Sequence, residues 1–135
     1  MSQLFPKGLM NHEFEFLMKC SKNTDCFSID EMKKKTDQYF NSIKEAYERN
    51  SIVNVNLAAA IVASIHTVCL EWETIPEVAK PWCKGMIQYF IETEDDENDL
   101  ESPIGFDDDA EVLNACLKFA NRIDLCIDPE EYDDF

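Results

Sequence analysis

Residues 55–73 read VNLAAAIVASIHTVCLEWE, and this stretch decides the fold class. Its apolar residues run almost all the way round a helical wheel, where a surface helix would show a single stripe. Ala58, Ala59, Ala60 and Ala63 leave room for neighbouring helices to come close. The stretch therefore reads as a helix over Val55 to Glu73 at the centre of a bundle. It does not read as a membrane span. Its apolar part, Leu57 to Leu70, has 14 residues and contains Ser64, His66 and Thr67, whereas a span needs about 20 apolar residues.

The flanking sequence keeps the helical period. Phe14, Leu17 and Met18 share one face of a short first helix, about Asn11 to Cys20, and a loop follows to Phe27. Ser28 and Glu31 form the S-x-x-E spacing of a capping box and open a second helix that runs to about Glu48. Met32, Tyr39, Phe40, Ile43, Ala46 and Tyr47 make its buried stripe, with Lys33, Lys34, Lys35 and Lys44 on the solvated side. Thr74 and Glu77 repeat the capping spacing, with Pro76 in the first turn. Pro81 would then fall inside that helix and must kink it or restart it near Lys80. Trp82, Met86, Tyr89 and Phe90 carry the next helix to Ile91. The last helix runs from about Asp108 to Leu125 on a stripe of Ala110, Leu113, Cys116, Leu117, Ala120 and Ile123. The acidic tail, 128–135, frays, with Tyr132 and Phe135 able to dock. The 135 residues suffice for one domain with a single core, and only 3 glycines and 5 prolines argue against a turn-rich β fold. The expectation is an all-α, single-domain bundle of about five helices with an acidic loop between the last two.

Charge is distributed very unevenly along this chain. Residues 1–91 carry 11 acidic and 10 basic side chains, and residues 92–135 carry 17 acidic and 2 basic. From Glu92 to Glu111 there are 11 carboxylates and no Lys or Arg. Such a field attracts basic surfaces and repels nucleic acid and anionic membrane. The expected partner is a protein with a basic surface, engaged through Glu92, Glu94, Asp95, Asp96, Glu97, Asp99, Glu101 and Asp107. Leu100, Ile104 and Phe106 supply apolar anchors among them. Asp108 and Asp109 read instead as caps, favourable at the positive end of the last helix.

Other chemistries fit the acidic stretch less well. An EF-hand loop begun at Asp95 places Glu97 and Asp99 correctly. It then puts Leu100 where glycine is needed and Phe106 where the bidentate glutamate belongs. No pair of carboxylates is singled out with an apolar pocket that would raise one pKa for acid–base work. There is no glycine-rich phosphate loop. The six cysteines show no C-x-x-C, and only His66 and Cys69 lie three apart on a helix. They read as reduced, buried small hydrophobes, and His66 as a hydrogen-bonded histidine of the core or its rim. The first twenty residues include Glu13 and Glu15 and lack the pattern of a signal peptide. A cytoplasmic protein without cofactor, metal or catalytic residues is expected.

From Ala79 to Leu113 the chain resembles the YkvA-like family, small helical bacterial proteins of unestablished activity. Ala79-Lys80 and then Tyr89, nine residues after the lysine, follow that pattern. Asp95 and Asp99 fall on its central aspartates, Gly105-Phe106 on its glycine-aromatic pair, and Asp108-Asp109 on its closing acids. The family's prolines are replaced by Thr93, Asn98 and Ser102, with Pro103 one place late, and its apolar Leu-Ile has become Asp96-Glu97. The resemblance implies a helical fold in which Asp95, Asp99, Asp108 and Asp109 hold the loop. The additional acids are then this chain's own feature. A neutralising protein such as an immunity protein against an antibacterial toxin fits one acidic patch around an apolar anchor. A phage DNA mimic that blocks a restriction or CRISPR enzyme would spread its carboxylates along a whole face. A generic YkvA-like protein, with or without a divalent cation, is the remaining alternative.

Overall fold

The computed structural model describes residues 6, 8–24, 27–49, 55–91, 107–128 and 131. Those residues form five α-helices: α1 (Asn11–Asn23), α2 (Ile29–Arg49), α3 (Val55–Leu70), α4 (Lys80–Ile91) and α5 (Asp107–Phe119). Two single 3-10 turns, Trp72–Thr74 and Ile123–Leu125, complete them, and no strand occurs among the described residues. The protein is an all-α bundle around one core. No described helix is long and apolar enough to cross a membrane.

Local chemistry sets the helix ends. The backbone N–H of Met10 donates to Glu13 Oε1 at 3.0 Å, which fixes the start of α1. That helix runs past Cys20, and Thr24 closes it by donating its hydroxyl to the Cys20 carbonyl at 2.9 Å. The Ser28–Glu31 capping box is complete: Ser28 N–H donates to Glu31 Oε1 at 3.2 Å, and Glu31 N–H donates to Ser28 Oγ at 3.1 Å. Along α2, Met32, Tyr39, Ile43 and Ala46 are buried and Phe40 is half-buried. Tyr47 faces solvent instead. Thr36 takes a core position, its hydroxyl satisfied by the Met32 carbonyl at 2.9 Å.

Three further expectations are corrected. The Thr74–Glu77 pair caps nothing. Thr74 donates its hydroxyl back to the Glu71 carbonyl at 2.7 Å, and Ile75, held extended before Pro76, is 3 % exposed and plugs the core. The helix starts only at Lys80, so Pro81 lies in its first turn, where a missing N–H costs little. Secondly, α5 stops at Phe119, short of Leu125. Asn121 adopts φ 64°, its N–H donates to the Lys118 carbonyl, and the Arg122 N–H donates to the Leu117 carbonyl at 2.7 Å. This is a Schellman ending, and it leaves Ile123 exposed.

Thirdly, the central helix is α4, which packs against α1, α2 and α5, while α3 packs mainly on α2. Leu57, Ala58, Ile61, Ile65 and Val68 of α3 are buried, but Ala59, Ala63 and Leu70 are exposed. The small residues make α3 slender without surrounding it. By contrast α4 presents large groups in several directions. Tyr89 meets Phe16 edge-on at 5.0 Å between centroids, and Phe90 meets Tyr39 at 5.2 Å. Where α1 crosses α4, Gly85 removes the side chain between them. A Cβ there would lie 3.0 Å from Ser21 Cβ and 3.1 Å from Ser21 Cα.

Behind α5, the C-terminal segment is held by side chains. Asn114 donates its amide to the Ile127 carbonyl at 2.6 Å and accepts from the Ile127 N–H at 2.8 Å. Ser64 of α3 donates to the Leu125 carbonyl at 2.9 Å. Tyr132 and Phe135, expected to dock, lie outside the described residues.

Replacing Gly85 by Val should lower unfolding free energy by about 1–3 kcal/mol, because the added methyls must push Ser21 away. Denaturant titration of the two proteins measures it, and an unchanged midpoint would show that α1 can shift at no cost.

Candidate functional site

The directions of the helices place the acidic segment. Lys84 Nζ donates to the carbonyl of Phe27, just ahead of α2, at 2.6 Å. Tyr39 further along α2 meets Phe90 near the end of α4. These two helices thus run the same way. His66 Nε2 lies 2.6 Å from Asp37 Oδ1, which sets the later half of α3 beside the earlier half of α2. Arg122, just past α5, pairs with Glu71, just past α3, at 2.8 Å. The starts of α2 and α4 and the ends of α3 and α5 therefore share one end of the bundle. The chain leaves α4 at Ile91 and enters α5 at Asp107, so both junctions of the acidic segment belong to the opposite end.

Glu92, Glu94, Asp95, Asp96, Glu97, Asp99, Leu100, Glu101, Ile104 and Phe106 lie outside the described residues, as does Gly105. Asp107 and Asp108 are the first two residues of α5. Asp109 is the third and is only 5 % exposed, against the fully buried Ala110. A carboxylate in a helix's first turn sits in the positive field of the macrodipole. Asp109 thus turns inward at the start of α5, and Glu111, two residues on and on the other face, is exposed to solvent.

The thiols are held protonated. Burial pushes Cys83 up to about 12 and Cys69 to about 11, the latter restrained by Lys33, and it raises fully enclosed Cys116 well above the ordinary range. A thiol kept neutral is a poor nucleophile and a poor metal ligand. Cys20, Cys69, Cys83, Cys116 and Cys126 form no disulfide with one another, and Cys26 lies outside the described residues. No three His, Cys, Asp or Glu side chains among the described residues gather as a metal would require. His66 and Asp37 form a pair at the rim of the core, their side chains 40 % and 48 % exposed.

Two features escape sequence reasoning. Arg122 grips both oxygens of Asp124 at 3.1 Å, Glu71 at 2.8 Å and the Thr74 hydroxyl at 3.3 Å. These bonds hold the Asp124 carboxyl below its usual range and raise the guanidinium. The neighbouring Asp124 could be read from the sequence, but Glu71 comes near only through the fold. The second is a cleft of about 230 Å³ between the end of α1 and the start of α4, lined by Ser21, Trp72, Glu77, Lys80, Pro81 and Lys84. A shallower groove of about 280 Å³ runs between α3 and the C-terminal segment, past Ala60, Ser64, Thr67 and Cys126.

No protein-family model, curated protein or solved structure matches this chain.

Two measurements check the site's foundations. Asp109→Ala should cost about 0.3–2 kcal/mol, the range for a carboxylate at the positive end of a helix, read as a lower denaturation midpoint. A midpoint that stays level would place Asp109 outside the fold's support. For the thiols, the folded value lies above the unfolded one of about 8.5. Their contribution to stability is therefore complete below that pH and is lost as pH rises towards about 12. Stability should fall over that window, and Cys83 should resist alkylation until denaturant is added.

Proposed function

We propose that this chain is a non-enzymatic acidic binding protein that neutralises a partner protein by covering its basic surface, in the manner of an immunity protein against an antibacterial toxin. One observation carries the reading. The chain before residue 92 is nearly neutral, with 11 acids against 10 bases, and the chain after it carries 17 acids against 2 bases. Self-repulsion at that density opposes compactness, so its external field is the feature that a partner would use.

The bundle's geometry supports an end-on encounter. Both junctions of the densest stretch, Ile91 and Asp107, belong to one end of the molecule. Attraction over distance would steer a basic partner to that end, and Leu100, Ile104 or Phe106 would anchor it once water is excluded. Relative to the YkvA-like pattern that residues 79–113 resemble, Asp96-Glu97 are added charges, and they set this chain apart from that pattern. A DNA mimic fits less well, because the exposed side of α2 interleaves Lys33, Lys34 and Lys44 with its acids. That breaks any continuous phosphate-like strip along the bundle.

Reversing Glu94, Asp96 and Glu97 to lysine should weaken capture of the basic partner while leaving the melting temperature level or raised, since repulsion falls. Association should slow as salt rises, with exposed charges screened over about 8 Å at physiological ionic strength. A pull-down that returns no basic protein, or one indifferent to the triple reversal, would overturn this function.

A further inference from the structure

We propose that the cleft between the end of α1 and the start of α4 is a binding site for a small ligand bearing an oxyanion, a carboxylate or a phosphate group. It lies at the bundle end opposite the junctions of the acidic segment, and the proposal does not rest on the function argued above. The chemistry lining the cleft is rich in donors. Lys80 and Lys84 stand one turn apart on the same side of α4, a like-charge spacing that disfavours a helix unless an anion intervenes. Lys84 spends one ammonium N–H on the Phe27 carbonyl at 2.6 Å, which aims the group and leaves two donors. Trp72 forms one wall, with Lys80 Nζ 5.7 Å from its ring centre, and its indole N–H has no acceptor among the described residues. Pro81 has no N–H to offer, so the side chains supply the recognition.

Glu77 shows where the oxyanion would sit. Its carboxylate accepts from Lys80 Nζ at 2.8 Å, yet the two partners are unequally placed. The Lys80 side chain is 17 % exposed and the Glu77 side chain 88 % exposed. The stem of Lys80 packs into the wall and carries its ammonium at the mouth, while the Glu77 carboxylate reaches in from solvent and can swing away. Glu77 thus acts as a tethered stand-in that an incoming carboxylate or phosphate displaces. Glu73 adds a weaker negative field at Lys80. At about 230 Å³ the cleft is below the roughly 300–1,000 Å³ of pockets for drug-sized ligands, which suits a small anion.

The test uses Trp72 as reporter. The chain has 2 tryptophans, so Trp82→Phe leaves Trp72 as the single indole. That protein is titrated with inorganic phosphate and, separately, with acetate, at constant ionic strength made up with sodium chloride. A saturable change in Trp72 emission is expected with at least one of them. Phosphate alone assigns a phosphoryl ligand, acetate alone a carboxylate, and both together an unselective oxyanion site. Lys84→Met should weaken binding about tenfold, the worth of one charge-assisted hydrogen bond. Glu77→Gln, at an exposed position that cannot endanger the fold, should tighten it several-fold by removing the competitor. No saturable change, a change that chloride reproduces, or an affinity unmoved by Glu77→Gln would overturn the site.

Discussion

The close crossing of α1 over α4 at Gly85 is the contact on which the other packing depends. With no side chain at that position, Ser21 and Leu17 come down onto the backbone of α4. One side of α4 is thereby covered. Its other sides, carrying Cys83, Met86, Ile87 and Phe90, can then be buried against α2 and α5. A larger residue at 85 would hold α1 away and open the seam beside Tyr89 and Phe16. Burial on that scale supplies most of a small bundle's stability, at about 25 cal/mol per Å² of apolar surface removed from water.

Because α4 is central, its two ends divide the electrostatics of the molecule. Its start brings Lys80 and Lys84 to the same end as Arg122 and its partners Glu71 and Asp124. There cations and acids neutralise one another at short range. Its last residue, Ile91, adjoins the stretch whose sequence holds 11 carboxylates and no Lys or Arg up to Glu111. Paired charges cancel beyond a few ångströms, while an excess of one sign sums over a Debye length. The excess negative charge of the chain therefore lies after α4, although the whole sequence carries 12 basic residues.

Signals confined to a few neighbouring residues were legible in the sequence. Ser28 and Glu31 meet because three residues of helix bring them together, and Pro81 ruled itself out of a helix interior before any fold was known. The stripe of α5 was correct from Ala110 to Ala120 and failed at Ile123. There Asn121 takes a left-handed turn that asparagine tolerates but does not require. Thr74 and Glu77 had the right spacing and the wrong outcome, because Ile75 gains more by filling the core in an extended conformation than a helical turn could return. Centrality was misassigned for a related reason. Alanines tell how near a neighbour can come, and the number of neighbours depends on the whole arrangement. Of the candidate site, the charge was fully legible, while the Arg122–Glu71 pair and the Lys80–Trp72 cleft join residues whose meeting no local pattern encodes.

The two ends also differ in how a ligand would be held. A segment dense in like charges would attract a basic surface over distance, since each approaching cation relieves repulsion already present. Its selectivity must then come from the few apolar residues it carries, because charge alone distinguishes partners poorly. The lysine cleft works in the reverse manner. Lys84 is held in place by the Phe27 carbonyl before any ligand arrives, so less ordering remains to oppose binding. A bundle whose ends are set by one central helix can combine the two. On the two proposals above, one end would select by geometry and the other would recruit by field.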